Sequence, residues 1–587
     1  MANLFNSALN STAGMRAPAE LRAVIAASRS AVFSAALFSL FLNLLMLVPS
    51  LYMLQVYDRV LSTGSVPTLL MLTLITVFLF AVFGGIEWLR SQVMIVASAR
   101  FDVMLGPVVH DAIFARTLTT GGRVASAQPF EDMDRVRQFI TGPGLFALLD
   151  APWVPVYIAL MFVFHPWMGA AAIFSIVVLS ALTGWTELST SALLKEANRA
   201  GIAANTQTTS HLRNAEAIAA MGMLPRLRER WLTERGKALG AQHHASTRAG
   251  LIAALSKTYR LTSQSLILGL GAYLAIRREI SPGMVIAGSI LLGRALSPID
   301  QLIGSWKTLV AARAGYARLS ELLVAHPVSA EQMRLPDIRG EYRLDKVTVM
   351  PPGARTPVIR ELNLFIPAGS QLGIIGPSAA GKSTLLRSLL ALHKVGAGSL
   401  RLDGAEIAQY SREVLGSSIG YLPQDVELLD GTIAENIARF GDIDAEAVVT
   451  AARRAGVHEM IVSLPDGYET RVQGNFTLSA GQRQRVALAR ALYRDPAVVI
   501  LDEPNSNLDD VGNAALQAAL KEMRGVGSTV ILVTHHGSVL GQMDAVLLMV
   551  EGRAALHGRP DEVANALQQQ QRRQAAAAQP ARSEVVA

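Results

Sequence analysis

The chain of 587 residues contains no cysteine. That removes disulfides, thiolate metal sites and thiol nucleophiles. Its 53 basic residues exceed its 46 acidic residues by only seven. They do not cluster with a recognition motif, so a nucleic-acid partner is not expected. No internal repeat stands out. A cleaved secretory leader is also not expected. The first long apolar run, Ala31 to Val56, exceeds a signal-peptide core and has no clear small-residue cleavage site. It reads as an uncleaved anchor. What the chain has in excess is apolar residue: 51% of the total, with mean hydropathy +0.33. That suits a protein half embedded in membrane, and the length is too great for one compact domain.

The apolar runs form three pairs. Ala31–Val56 and Pro67–Leu89 are followed by Leu145–Phe164 and Trp167–Thr186, then by the weaker Leu261–Ile276 and Met284–Trp306. A span needs about 20 apolar residues to cross the hydrocarbon core. Short turns close each pair, and two long polar stretches join the pairs, Arg90–Thr141 and Glu187–Ala249. Both stretches are rich in arginine, which places them and both termini on the cytosolic side. They are long and poor in turn residues, so the spans are expected to continue outward as helices, with tips at Val108–Leu118 and Thr208–Met223. Pro18–Ser30 reads either as an amphipathic helix on the membrane surface or as a plain linker. Ionisable residues sit in or near the spans: Asp58, Arg59, Asp150, Lys257, Arg260 and Arg294. Such groups face a cavity or a partner, or pair at helix ends. Pairing is expected for most, a cavity for Arg294.

From about Gly340 the pattern becomes α/β. The apolar strand Leu372–Ile375 leads into Gly376-Pro377-Ser378-Ala379-Ala380-Gly381-Lys382-Ser383-Thr384 and then a helix. In that context the run is a phosphate-binding loop. Backbone N–H groups and the helix N-terminus would cradle phosphates, Lys382 would reach the β- and γ-phosphates, and Ser383 would ligate Mg²⁺. Asp502 ends the strand Ala497–Leu501 and would hold Mg²⁺ through water. Glu503 beside it would polarise an attacking water. Gln424, after the strand Ile419–Leu422, would touch metal and water. His535 ends the strand Thr529–Thr534 and would contact the γ-phosphate. Leu478-Ser479-Ala480-Gly481-Gln482 opens a basic helix, a second phosphate-binding N-terminus. ATP and Mg²⁺ are the cofactors implied.

Four such elements in this order resemble the ATP-binding cassette of ABC transporters, and the chain as a whole resembles a half-transporter of the exporter type. More narrowly, it is similar to the permease/ATPase of type I secretion systems, in the PrtD-like branch that exports proteases and lipases. The residues carrying this are Gln55–Leu61, Thr141–Gly144, Asp150–Trp153, His165–Trp167, Asn214–Glu216, Met221–Met223, Gly288–Ala295 and Asp502–Asp509.

The resemblance implies an all-α six-helix transmembrane domain, then an α/β cassette with a helical subdomain. The expected division is a cytosolic segment 1–30, a membrane domain 31–325, a linker 326–339, a cassette 340–565 and a disordered tail 566–587. It also implies a homodimer in which each ATP is closed by Ser479, Gly481 and Gln482 of the second copy, with Ser506–Asp509 at the contact. The setting would be a bacterial inner membrane, the partners lipid, a periplasmic adaptor and an outer-membrane TolC-like duct. The cargo would be unfolded protein bearing an uncleaved C-terminal signal. With about thirty residues before the first span, the peptidase-like domain of related exporters is not expected. A lipid or drug half-transporter and a regulatory, non-transporting ATPase are the alternatives.

Three departures from the family pattern stand out. Ala480 replaces a usual glycine and adds a methyl to a loop near phosphate. Gln473 stands where an acidic residue is common. The adenine-stacking aromatic is missing around Thr348–Pro352, with Tyr342 a poor substitute.

Overall fold

The computed structural model describes residues 18–122, 126–327, 337–472 and 478–578. The chain divides into two compact units, residues 1–116 with 125–328, and residues 117–124 with 329–587.

The first unit is helical throughout. Three helices run far beyond a membrane's thickness: Val66–Thr119 has 54 residues, Pro166–Arg213 has 48 and Leu224–Ile276 has 53. At 1.5 Å per residue each is about 70–80 Å long. The polar excursions are therefore continuations of the spans. The expected first tip is misplaced, because 108–118 lies inside the Val66–Thr119 helix. The chain turns later, at Gly121 and Gly122, which have φ of 62° and 78°. The second tip is a short helix, Ala215–Ala220, ended by Gly222 at φ 63°.

Among the described residues, five helical segments are long and apolar enough to cross a membrane: Arg29–Thr63, Val66–Thr119, Pro143–Phe164, Pro166–Arg213 and Pro282–Gly304. The sixth expected span, Leu261–Ile276, is the end of the Leu224–Ile276 helix, which is not among them. The reason is its polar content, part of which faces protein. Ser263 is buried and lies 3.4 Å from Ser175 Oγ, while Gln264 lies against Gly293. By contrast, none of the most apolar window of Val66–Thr119 is buried, which leaves that surface to lipid. The third span is not one smooth helix. It runs as Pro143–Asp150, a 3₁₀ turn Ala151–Trp153, and Val154–Phe164, with Pro152 and Pro155 removing backbone donors at the break.

The N-terminal helix forms over Ala19–Ala27, so the plain-linker reading falls. The membrane-surface reading also changes. Leu21 and Val24 are buried against Phe101, Leu105, Val109, Tyr316 and Leu319. Its apolar side is spent on the long helices.

Pairing at helix ends accounts for several charges. Asp58 sits in a π-helical turn, Val56–Val60. Its carboxylate accepts from Ser281 Oγ at 2.5 Å and Gly283 N at 2.8 Å, capping the Pro282–Gly304 helix where the dipole favours negative charge. Asp150 accepts from Asn43 at 2.9 Å and from Arg90 at 3.3 Å. Arg90 also donates to Ser39 and lies over the Phe146 ring, and the Tyr157 hydroxyl donates to Asn43. Ser39, Asn43, Arg90 and Tyr157 are all buried, so this polar knot ties three spans. Arg260 pairs with Asp300 at 3.5 Å. Arg294 is half-buried, and no hydrogen bond or ion pair holds it among the described residues.

The second unit is built on two larger sheets. One is antiparallel, with strands β1 (Tyr342–Val349), β2 (Ile359–Ile366), β4 (Val395–Leu402) and β5 (Ala405–Glu406) in the order β2-β1-β4-β5. The other contains β3 (Gln371–Ile375), β6 (Ile419–Leu422), β9 (Val498–Asp502), β10 (Thr529–Val533), β11 (Ala545–Val550) and β12 (Arg553–Gly558), in the order β12-β11-β3-β10-β9-β6. A small pair joins β7 (Gly431–Thr432) to β8 (Arg471–Val472).

Five strands of the second sheet are mutually parallel, and β12 runs antiparallel at its edge. β9 and β10 are buried at every residue, as a sheet covered on both faces requires. One core lies between the sheets. The other joins the parallel sheet to a helical subdomain including Ala445–Arg454 and Ala480–Leu492. The closing helix spans Pro560–Ala578, so 566–578 are helical and the expected disorder does not hold for them. Gln473 and most of the expected linker, 328–336, lie outside the described residues.

Candidate active site

Parallel strands carry their loops at one end, and here that end gathers the motif residues. β3 runs into the phosphate loop, β9 into Asp502 and Glu503, β10 into Thr534 and His535, and β6 into Gln424. Residues that are 160 positions apart in sequence thus share one edge.

The phosphate loop turns at Gly376, with φ 151°, where an added Cβ would sit 2.2 Å from the Met549 carbonyl oxygen. Only glycine fits there. Ala379 also has positive φ, 64°. Gly381 caps the helix Lys382–Leu389 at φ 97°. Lys382 is buried, and its Nζ donates to the carbonyls of Gly376 at 2.7 Å and Pro377 at 3.1 Å. The loop's cation is therefore held inside the loop. Ser383 and Thr384 follow on the first helical turn, half-buried.

Asp502 is 4% exposed. Burial pushes its carboxyl above the usual carboxylate value, a hydrogen bond from Ser383 opposes this, and the Glu503 charge adds to it. Its Oδ1 is buried without a hydrogen-bond partner. A buried carboxylate with one open oxygen beside a serine hydroxyl suits a hard cation such as Mg²⁺. Ser383 and Asp502 therefore fit the metal expected from the sequence.

Glu503 has φ 51°, outside the ordinary range for a side-chain-bearing residue. Its N–H donates to Val533 O at 3.0 Å, which fixes the turn. The turned carboxylate accepts from Gln424 Nε2 at 3.0 Å and lies 3.7 Å from His535 Nε2. Backbone strain at a carboxylate touched by two other motif residues makes Glu503 a candidate functional position. His536 starts the short helix Gly537–Leu540 and makes no contact of this kind.

Sequence reasoning quoted Asn505 without giving it a task. It is buried, accepts from Thr534 at 3.2 Å and donates to Asn513 at 2.7 Å. It ties the β9 loop to the β10 loop and so sets the distance between Glu503 and His535. An amide three residues after a strand end, next to a buried strand, is the signal available in the sequence.

The second N-terminus lies apart from this edge in its own unit's helical subdomain. Ser479 and Gln482 form a reciprocal capping box, at 3.3 Å and 2.9 Å. Ala480 is exposed and already helical, so among the described residues its methyl is not packed against protein. The glycine that matters is Gly481, where a Cβ would lie 2.8 Å from Asn507 O. Asp509 accepts from Gly512 N at 2.8 Å and caps the helix Asp510–Val526. Tyr342 cannot stack on a base. It is fully buried, its hydroxyl donates to Leu389 O at 3.1 Å, and burial raises its pKa.

Comparison with known proteins agrees with this construction. Residues 359–506 match the ABC transporter family, and residues 32–297 match the ABC transporter transmembrane region. The type I secretion system ATP-binding protein PrsD of Rhizobium meliloti (strain 1021) is 43% identical over 91% of this chain and 92% of its own. The alpha-hemolysin translocation ATP-binding protein HlyB of Proteus vulgaris is 28% identical over 89% of this chain and 75% of its own. The structure of a bacterial Atm1-family ABC exporter with ATP bound superposes with TM-score 0.78, covering 92% of this chain and 97% of that one at 24% identity. It shares the fold. An ATP-hydrolysing cassette on a membrane unit with this similarity is an inner-membrane protein with a cytoplasmic cassette, and the chain belongs to the type I secretion ATP-binding proteins of the ABC transporter family.

Proposed function

We propose that two copies of this chain form the ATP-driven motor that exports unfolded protein through a type I secretion system. Each P-loop, Gly376–Thr384, would bind the triphosphate of ATP. Mg²⁺ would be held by Ser383 and Asp502 with Gln424 alongside, and would supply electrostatic stabilisation of the phosphates. Glu503 would take the proton of the attacking water. Its carboxylate accepts from Gln424, and His535, 3.7 Å from it, would contact the γ-phosphate. Ser479, Gly481 and Gln482 sit at a helix N-terminus remote from their own P-loop strand, which supports their serving the ATP of the second copy.

The single observation carrying the catalytic assignment is Glu503, held in a strained turn between Gln424 and His535. The cargo is proposed to carry an uncleaved C-terminal signal, with a periplasmic adaptor and an outer-membrane duct completing the path. The test compares culture-medium proteomes from cells carrying the native chain or its Glu503→Gln variant. Loss of one or a few proteins with intact N-termini is the expected result. An unchanged medium, with lipid- or drug-stimulated ATPase activity of the native chain, would move the assignment to a small-molecule exporter.

A further inference from the structure

Between Glu187 and Arg260 the chain has eleven Lys and Arg against five Asp and Glu. That excess of six nearly matches the +7 of the whole chain, whereas residues 340–565 have 21 basic against 26 acidic residues. Four of the eleven basic groups and His244 lie on one line. Arg226, Arg230, Lys237, His244 and Arg248 recur at intervals of 4, 7, 7 and 4 along the unbroken Leu224–Ile276 helix. At 3.6 residues per turn they fall within about 40° of one another. All five are exposed.

Glu229 and Glu234 fall outside that arc, although Glu234 reaches Lys237 at 2.7 Å. Arg248 donates to Ser189 O at 3.2 Å. Arg226 and Arg230 have no hydrogen bond or ion pair among the described residues. The face packed into protein is the adjoining one, carrying Ala238, Ala241, Ala245 and Ile252. Toward the membrane the same line continues as Leu251, Leu255 and Leu266, which are 59%, 42% and 67% exposed.

Lipid headgroups do not account for Arg226, Arg230 and Lys237, the part of the stripe farthest from the membrane. The apolar part of the helix begins near Leu261. Along the helix, Lys237 is then about 36 Å and Arg226 about 52 Å away. Both distances are several times the Debye length of about 8 Å. The charge bias that orients spans acts only within about 15–20 residues of them. From Arg226 to Arg248 the stripe is about 33 Å long, the length of about ten residues of extended chain at about 3.3 Å each.

We propose that this stripe is a binding rail for an acidic, extended segment of the exported polypeptide, about ten residues long. The inference rests on the protein-export reading above. Separated exposed charges without a pocket attract an acidic chain weakly and without sequence preference. A cargo that must slide requires that kind of hold, and the leucines that follow give it an apolar continuation at the membrane.

The test uses the full-length protein in nanodiscs and a fluorescent ten-residue poly-aspartate. The native protein should bind it with an affinity that falls as salt rises. The variant R226Q/R230Q/K237Q/R248Q should bind at least tenfold more weakly while keeping its basal ATPase rate and dimer elution. R228Q/R235Q, on the opposite side of the helix, should bind as the native protein does. In cells, the stripe variant should lower the cargo in the medium several-fold. Equal binding by both variants and native protein, or equal loss from both variants, overturns the proposal. So does loss of basal ATPase from the stripe variant, which would make the stripe a contact for the acidic cassette of a second copy. If the stripe variant exports normally while Glu503→Gln does not, only the rail fails. If Glu503→Gln exports normally, the export reading itself fails.

Discussion

The membrane unit and the cassette both bury ionisable side chains, and they treat them in opposite ways. In the membrane unit Asp150 is met by Asn43 and Arg90, and Asp58 by the N-terminus of a neighbouring helix. Their charge is used up in holding helices together. In the cassette Asp502 is buried with Oδ1 open, and Glu503 is held in a strained turn against neutral or partly exposed partners. Their capacity is kept for something from outside. Of these carboxylates, the satisfied ones serve architecture, and the one with an open oxygen is the candidate for chemistry.

The sharpest way to break this comparison is Glu503→Gln. Removing a general base should slow ATP hydrolysis by about 10²–10⁴-fold, read as phosphate release, with nucleotide binding retained. If hydrolysis survives, Glu503 is architectural and the contrast collapses.

Next is Asp150→Ala. Leaving Arg90 buried without its carboxylate should cost about 3–5 kcal/mol, read as a lower unfolding midpoint in detergent. Replacing both partners, Arg90→Met with Asp150→Leu, should recover most of the loss, because no uncompensated charge remains.

Asp502→Asn should act in the reverse direction. A carboxyl whose folded pKa is raised binds protons more readily in the native state, so ionisation costs stability as pH rises from the unfolded value through the folded one. Without Mg²⁺, the variant should therefore melt higher than the native protein at neutral pH. The gain should amount to a few degrees, on the order of 2–4 °C for each kcal/mol, and should shrink as pH falls back through the carboxylate range. With Mg²⁺ and ATP present the native protein should regain the advantage.

Asp58→Ala removes a helix cap and should cost about 0.5–2 kcal/mol without changing the ATPase rate of detergent-purified protein. The smallest effect belongs to Ala480→Gly, expected within about 1 kcal/mol and without a change in ATPase rate. Gly481→Ala at the next position forces a Cβ toward Asn507 O and should lower that rate.

Much of the site was legible because its chemistry is written in short contiguous runs. Gly376–Ser383 follows a strand, and Asp502-Glu503 ends one, so neighbours in sequence dictate the local geometry. Tyr342 and Ala480 were legible only as departures. Their burial and exposure decide what the departures mean, and burial depends on distant partners. The first tip was misplaced because helix continuation through 108–118 is favoured by local residues, and only the Gly121–Gly122 pair ends it. For Pro18–Ser30 the sequence leaves a surface helix and a plain linker both open, because an amphipathic pattern does not say what covers its apolar side. Leu21 and Val24 are covered by residues about 80 and 300 positions away.

The sequence by itself determined the nucleotide chemistry, the order of the domains and the helical continuation of the spans, since each rests on motif spacing or on periodicity within one segment. The tertiary structure alone decided that Gln424 and His535 meet at Glu503, that Asp502 keeps an open oxygen and that Asp58 caps a helix more than two hundred residues away. These are contacts between segments far apart in the chain. Their geometry comes from how strands and helices pack, which no local pattern encodes.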